Sequence, residues 1–108
     1  MALVRLLGEQ VNVQRNVDER TAFALEEILT ERDYQDQKWG QTNGAPEEAT
    51  KEQVRDVCLA HDRNWSGNQW TGFMEHYMSR VKPDMADPET RRMFVKVAAL
   101  ALAALRAS

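Results

Sequence analysis

The densest group of side chains that could do chemistry is acidic. It consists of Glu26, Glu27, Glu31, Asp33 and Asp36. Glu27 and Glu31 are four residues apart, so on a helix they share a face and could bind a divalent cation through carboxylate oxygens. The alternative, which we favour, is a solvated helix face on which Arg32 and Lys38 balance the acids.

A second group contains the thiol and imidazole ligands. Its members are Cys58, His61, Asp62 and His76. Cys58 and His61 form half of a zinc site, but further ligands do not occur at a familiar spacing. Because His61 continues an apolar stripe at i, i+3, i+4, i+7, a packed or hydrogen-bonded histidine is the better interpretation. The residues around the serines and the cysteine match neither a nucleophile elbow nor a catalytic triad. The sequence also contains no glycine-rich phosphate-binding loop.

A third group is aromatic with basic neighbours. Four aromatic side chains could stack on a nucleobase, namely Trp65, Trp70, Phe73 and Tyr77. Three basic side chains could contact phosphates, namely Arg63, Arg80 and Lys82. Aromatic residues at helical spacing are more often part of a core. Trp39 and Trp65 differ, because both lie in or beside predicted loops. We therefore predict that they contact a ligand.

Four helices are predicted to position these groups. The first begins at the N-cap Asp18 and runs to about Lys38, followed by a loop over residues 40–45. The second begins at Pro46, with acids in its first turn, and ends near residues 61–64.

The third and fourth helices have the clearest patterns. Trp70 to Val81 carries one broad apolar stripe, preceded by a turn and cap over residues 66–68 and ended by Pro83. Asp87 and Pro88 begin the fourth helix, which reaches about residue 107. This helix is apolar nearly all round, so its surplus face is predicted to pack against another subunit.

The fold class expected is thus a small all-α bundle of about four helices over residues 18–108, assembled as a homodimer or a higher oligomer. Residues 1–17 are predicted to form an N-terminal arm, with a short extended segment, a frayed helix and an oligomer contact as alternatives.

Composition excludes several classes of function. The chain has 108 residues, 43% of them hydrophobic and 29% charged, with a formal charge of −3. This balance is typical of one soluble domain and argues against binding to nucleic acid or to an anionic membrane. The single cysteine cannot form an internal disulfide, so we expect a cytoplasmic protein. The most apolar stretch, residues 93–105, is too short to span a bilayer.

Three segments resemble small MazG-like proteins, a family common in phage genomes. The segment from Glu31 to Gly40, ERDYQDQKWG, is similar to their ER-x-x-Q-x-x-KWG. His61, followed by a glycine and Trp70, resembles their H-x-x-G-x-W. Residues 95–105, VKVAALALAAL, resemble their closing helix. The resemblance covers about residues 25–107.

This resemblance implies an all-α nucleoside triphosphate pyrophosphohydrolase fold, usually dimeric or tetrameric. Catalytic members bind magnesium through an E-E-x-x-E helix and an E-x-x-D helix, and cleave between the α and β phosphates. In this chain the first motif falls on Glu75, His76 and Ser79, and the second on Met93 and Lys96. Only Glu75 keeps an acid.

The main prediction is therefore a MazG-like nucleotide-binding protein, a phage-type accessory factor with reduced or lost hydrolysis and no metal cofactor. Its predicted ligand-binding residues are Lys38, Trp39, His61, Arg63, Trp65 and Trp70. One alternative is a Mg²⁺-dependent pyrophosphohydrolase with Glu75 as catalytic residue and Glu27, Glu31 and Glu75 as metal ligands. Another is a non-enzymatic module whose fourth helix binds a host protein.

Overall fold

A computed structural model describes residues 17–108. This part of the chain folds into four α-helices and contains no β-strand. The helices are α1 (Glu19–Thr42), α2 (Lys51–Asp62), α3 (Gly67–Met78) and α4 (Pro88–Ala107). The predicted all-α bundle of about four helices is confirmed for residues 17–108. The predicted arm lies outside the described residues, apart from the exposed Val17.

Each helix begins at a side chain that caps its free amide groups. Asp18 and Asp87 each accept a hydrogen bond from the backbone N–H three residues later, at 2.8 and 2.9 Å. Thr50 and Ser66 form capping boxes, each with the glutamine three residues further on. The predicted starts of the first and fourth helices and the capping role of Ser66 are confirmed.

The end of α1 differs from the prediction. The helix continues through Gly40 to Thr42 instead of ending near Lys38. Gly40 is buried against α2, where a Cβ atom would lie 2.9 Å from the Cβ of Val54 and 3.0 Å from its carbonyl oxygen. This glycine therefore lets two helix backbones approach closely and does not open a loop. The sequence around Gly40 is typical both of a loop and of a close approach between two helix backbones.

The start of α2 was also predicted wrongly. Residues 46–49 form a turn closed by a hydrogen bond of 3.0 Å from the Ala49 amide to the Pro46 carbonyl. The helix begins only after Thr50, whose capping box satisfies the first free amides. Proline followed by two acids resembles a helical first turn, but here the stronger capping signal lies four residues later.

α4 is the central helix, since it contacts all three others, while α1 also contacts α2. Three ion pairs join α1 to α4, and residue numbers rise along both helices from pair to pair. The pairs are Glu27 with Arg91, Glu31 with Lys96 and Asp36 with Arg106. The two helices therefore run parallel. The buried apolar residues are Ala45, Val54, Cys58, Trp70, Met93, Ala99, Leu100 and Ala103.

One face of α4 is uncovered among the described residues, as the apolar pattern predicts. Phe94 and Leu102 are each 38% exposed and Leu105 is 71% exposed. The first half of α1 adds the exposed side chains of Phe23 and Leu29. No helix within residues 17–108 has both the length and the apolar character needed to cross a bilayer.

Candidate functional site

A cavity of about 150 Å³ lies where the second half of α1, the end of α2, α3 and α4 meet. A cavity of roughly this volume accommodates one benzene-sized molecule. The site therefore has space for a single aromatic ring. Its lining residues are Arg32, Trp39, Thr42, Asn43, Cys58, His61, Asp62, Trp65, Trp70, Phe73 and Leu100.

Aromatic rings form the walls of this cavity. The ring centroids of Trp65 and Trp70 lie 4.8 Å apart, and Trp65 lies 5.6 Å from Phe73. Trp39 meets Phe73 edge-on at 5.8 Å, and His61 lies 5.5 Å from Trp65. These separations are in the range of favourable aromatic pairs. The walls are thus held by contacts among the rings themselves and offer π faces to a ligand.

Arg32 brings a buried positive charge to the cavity. Its Nη1 donates to the Ala99 carbonyl at 2.7 Å, and its Nε donates to the Asp36 carboxylate at 3.2 Å. Burial lowers the pKa of Arg32, opposed by the charge of Asp36, and the guanidinium keeps its proton at neutral pH. Arg106 hydrogen-bonds both carboxylate oxygens of Asp36.

The interpretation of the acidic segment as a solvated face is therefore wrong for its buried members. Arg32, Gln35 and Asp36 are 7%, 4% and 2% exposed. They are buried because α4 supplies their partners, which are the Arg106 side chain and the carbonyls of Ala99 and Lys96. The remainder of the acidic group lies on more exposed positions of α1.

Asp62, the last residue of α2, brings a negative charge to the same cavity. Its side chain is 12% exposed, and its Oδ1 lies 3.2 Å from the Nδ1 of His61. Its backbone carbonyl accepts a hydrogen bond of 3.0 Å from the Trp65 amide. The cavity therefore combines a fixed carboxylate with a fixed guanidinium.

Cys58 lines the cavity as a neutral thiol. The side chain is buried and donates to the Asp36 carbonyl at 3.4 Å. Burial first, and then the nearby carboxylates, raise the pKa of Cys58 to about 11. At neutral pH Cys58 therefore lacks the thiolate form that a cysteine nucleophile requires.

Four of the predicted ligand-binding residues come together. Trp39, His61, Trp65 and Trp70 all line the cavity, although three helices and the loop between α2 and α3 carry them. The remaining two predicted residues do not line it and are exposed, namely Lys38 and Arg63. The Nζ of Lys38 lies 5.2 Å from the ring centroid of Trp39, which does line the cavity.

The predicted metal ligands are placed differently. Glu27 is bound by Arg91 through two hydrogen bonds, and Glu31 accepts from Gln35 at 3.0 Å and from Lys96 at 3.5 Å. Glu75 is exposed on α3. Across residues 17–108, no three His, Cys, Asp or Glu side chains are grouped so that they could bind a metal ion.

Four polar residues that line the cavity are not among the predicted ligand contacts. The sequence predicts a solvated face for Arg32, a loop for Thr42 and Asn43, and at most a place in a zinc set for Asp62. Helical spacing gives no clear signal for Arg32, because Leu25 and Leu29, which share its face of α1, are themselves 48% and 52% exposed.

Comparison with known proteins gives no family model, no curated protein and no solved structure that matches this chain. The MazG-like resemblance thus stays a prediction.

Proposed function

We propose that this chain is a nucleotide-binding protein that takes the base of its ligand into the aromatic cavity. The observation that carries the proposal is a ring-sized cavity whose walls are three tryptophans and a phenylalanine. Stacking of a base on aromatic side chains contributes about 1–3 kcal/mol per base. Fixed polar groups on the same wall supply orientation, as in other small-molecule sites.

The phosphates of the ligand would lie at the rim. Lys38 and Arg63 are exposed, and each is adjacent in sequence to a lining residue, Trp39 or Asp62. Cationic side chains bind phosphate oxygens through charge-assisted hydrogen bonds. In this arrangement the base is buried and the charged part of the ligand stays hydrated.

Binding is favoured over metal-dependent hydrolysis. The carboxylates of Glu27 and Glu31 are already neutralised by Arg91 and Lys96. A magnesium ion that used them would have to displace both cations, and Glu75 would offer a single exposed carboxylate. We therefore propose a MazG-like protein that retains a nucleotide pocket and has reduced or lost pyrophosphohydrolase activity.

A ligand panel tests this proposal. Melting of the full chain is measured with nucleoside monophosphates, triphosphates and cyclic nucleotides, each with Mg²⁺ and with EDTA. A ligand at about 100 times its Kd adds roughly 2.7 kcal/mol, so we expect a rise of several degrees in Tm that persists in EDTA. A rise that requires Mg²⁺, with release of pyrophosphate, would establish the hydrolase instead. No rise with any member at about 1 mM, and no binding by calorimetry, would refute nucleotide binding.

The uncovered face of α4 supports a second proposal, that the chain forms a homo-oligomer through this face. Leu105 is 71% exposed and shares the face with Phe94 and Leu102. Contiguous apolar surface of this kind is typical of interaction sites.

We expect light scattering to give at least twice the 12.4 kDa chain mass. Leu105→Lys should lower that mass, and Ala60→Lys on the exposed side of α2 should leave it unchanged. A monomeric parent protein would refute self-assembly and turn attention to a different protein partner.

A further inference from the structure

Asp62 stands at a position that helix stability disfavours. It is the last residue of α2, where the helix dipole repels a negative charge. Its side chain is 12% exposed, so it is also largely removed from water. Among residues 17–108 its carboxylate has one hydrogen-bonding partner, the imidazole of His61 at Oδ1. A carboxylate accepts about four hydrogen bonds when it is fully satisfied. Most of its capacity therefore remains for a molecule in the cavity that it lines.

Arg32 offers the opposite chemistry in the same cavity. A guanidinium has five N–H donors, held in one plane. In Arg32 the Nε donates to Asp36 and one Nη1 hydrogen to Ala99, while Nη2 lies 3.2 Å from Asp36 Oδ1. The remaining donors are fixed in position by these contacts. The site thus presents a spare acceptor at Asp62 and spare donors at Arg32.

We infer that Asp62 and Arg32 select bases that carry an exocyclic amino group beside a ring acceptor. This rests on the proposed function, and it names the class of base that the cavity takes. The amino group donates to the Asp62 carboxylate, while a ring nitrogen or carbonyl oxygen accepts from Arg32. Cytosine and adenine have this edge. In the same pose, uracil and hypoxanthine place a carbonyl oxygen against the Asp62 carboxylate and a ring N–H against the donors of Arg32, so both contacts are mismatched. To bring the ring N–H to Asp62, the base would have to shift within the cavity.

Two pairs of ligands isolate this contact without changing the protein. Cytidine and uridine monophosphates differ in the base edge, as do adenosine and inosine monophosphates, while sugar and phosphate are constant. A good hydrogen-bonding pair discriminates between bases by about 1–3 kcal/mol. By calorimetry we expect the amino-bearing member of at least one pair to bind roughly 5- to 150-fold more tightly. Equal affinity within both pairs would overturn the inference and leave nucleotide binding intact. No binding by any of the four at about 1 mM would refute both.

Asp62→Asn tests the residue itself. The amide has nearly the same shape but can donate to a carbonyl, so the preference for the amino-bearing base should disappear or reverse. Because the substitution removes a negative charge from a helix C-terminus, we expect the variant to fold. Asp56→Asn is the matched control, since it makes the same change at an exposed position of the same helix, and it should keep the preference. Retention of the full preference in Asp62→Asn would assign the selection to another residue.

Discussion

Asp36→Asn is expected to lower the free energy of unfolding by about 3–5 kcal/mol, because it leaves the buried guanidinium of Arg32 and the partly buried guanidinium of Arg106 without their counter-ion. Asp36 is 2% exposed and is bonded by both Arg32 and Arg106. An amide keeps the size of the side chain and loses the charge. A domain of this size has a stability of about 5–15 kcal/mol, so this single change removes a large part of it.

The matched control for this variant is Asp33→Asn. Asp33 lies on the same helix and also forms an ion pair, but its carboxylate is 3.8 Å from Lys51 and both side chains are largely exposed. Such surface pairs contribute about 0–1 kcal/mol. Urea denaturation of the two variants and the parent gives the comparison directly. Losses of equal size would show that the Arg32–Asp36–Arg106 network is as solvated as the surface pair, contrary to the structure.

This network connects the stability of the bundle to the site. Arg106 anchors the end of α4 to Asp36 on α1, and Asp36 in turn orients the guanidinium of Arg32 toward the cavity. The Asp36 carbonyl also accepts from the Cys58 thiol on α2. One residue of α1 thus joins three helices beside the cavity. Under the proposed function, these contacts would reduce the ordering that a ligand must otherwise impose on binding.

The helix starts set by local chemistry were predictable from sequence. Asp18, and Asp87 followed by Pro88, are caps whose partners lie within three residues, so their pattern is complete in the sequence. The boundaries that failed depend on contacts with other helices. Gly40 stays helical because Val54 of α2 packs against it. The start of α2 depends on two competing local signals, the proline with its acids at residue 46 and the capping box at Thr50, and the structure forms the capping box.

The residues of the candidate site likewise include some that the sequence could identify and some that it could not. Trp39 and Trp65 are predicted as ligand contacts because both lie in or beside predicted loops, but the structure places Trp39 inside α1. Trp70 lies on an apolar stripe that is equally typical of a core residue. The charged members of the site could not be identified, since their burial depends on distant partners. Arg32 bonds to a carbonyl 67 residues away, and Asp36 to an arginine 70 residues away. A helical wheel of α1 alone cannot show that α4 supplies both.

Trp65→Ala is expected to weaken binding of the best nucleotide by roughly 5- to 150-fold, the effect of removing one stacking platform. Trp65 lies between α2 and α3, so the change interrupts no helix. Trp65 lines both the cavity and a more open hollow, whose lining residues are Trp65, Asn68, Gln69, Gly72, Phe73 and His76. Without the ring the cavity loses one aromatic wall, and the base loses a π face.

Two variants separate stacking from loss of structure. Trp65→Phe keeps an aromatic face and should recover most of the affinity, whereas a purely steric role would be restored equally by Trp65→Leu. Phe23→Ala removes an aromatic ring that is 66% exposed on the first half of α1, and it should bind as the parent does. Affinities are measured by calorimetry well below each variant's Tm, so that all the protein is folded. Unchanged affinity in Trp65→Ala would place the base outside the aromatic cavity, because no ligand that fills this volume can avoid the Trp65 ring.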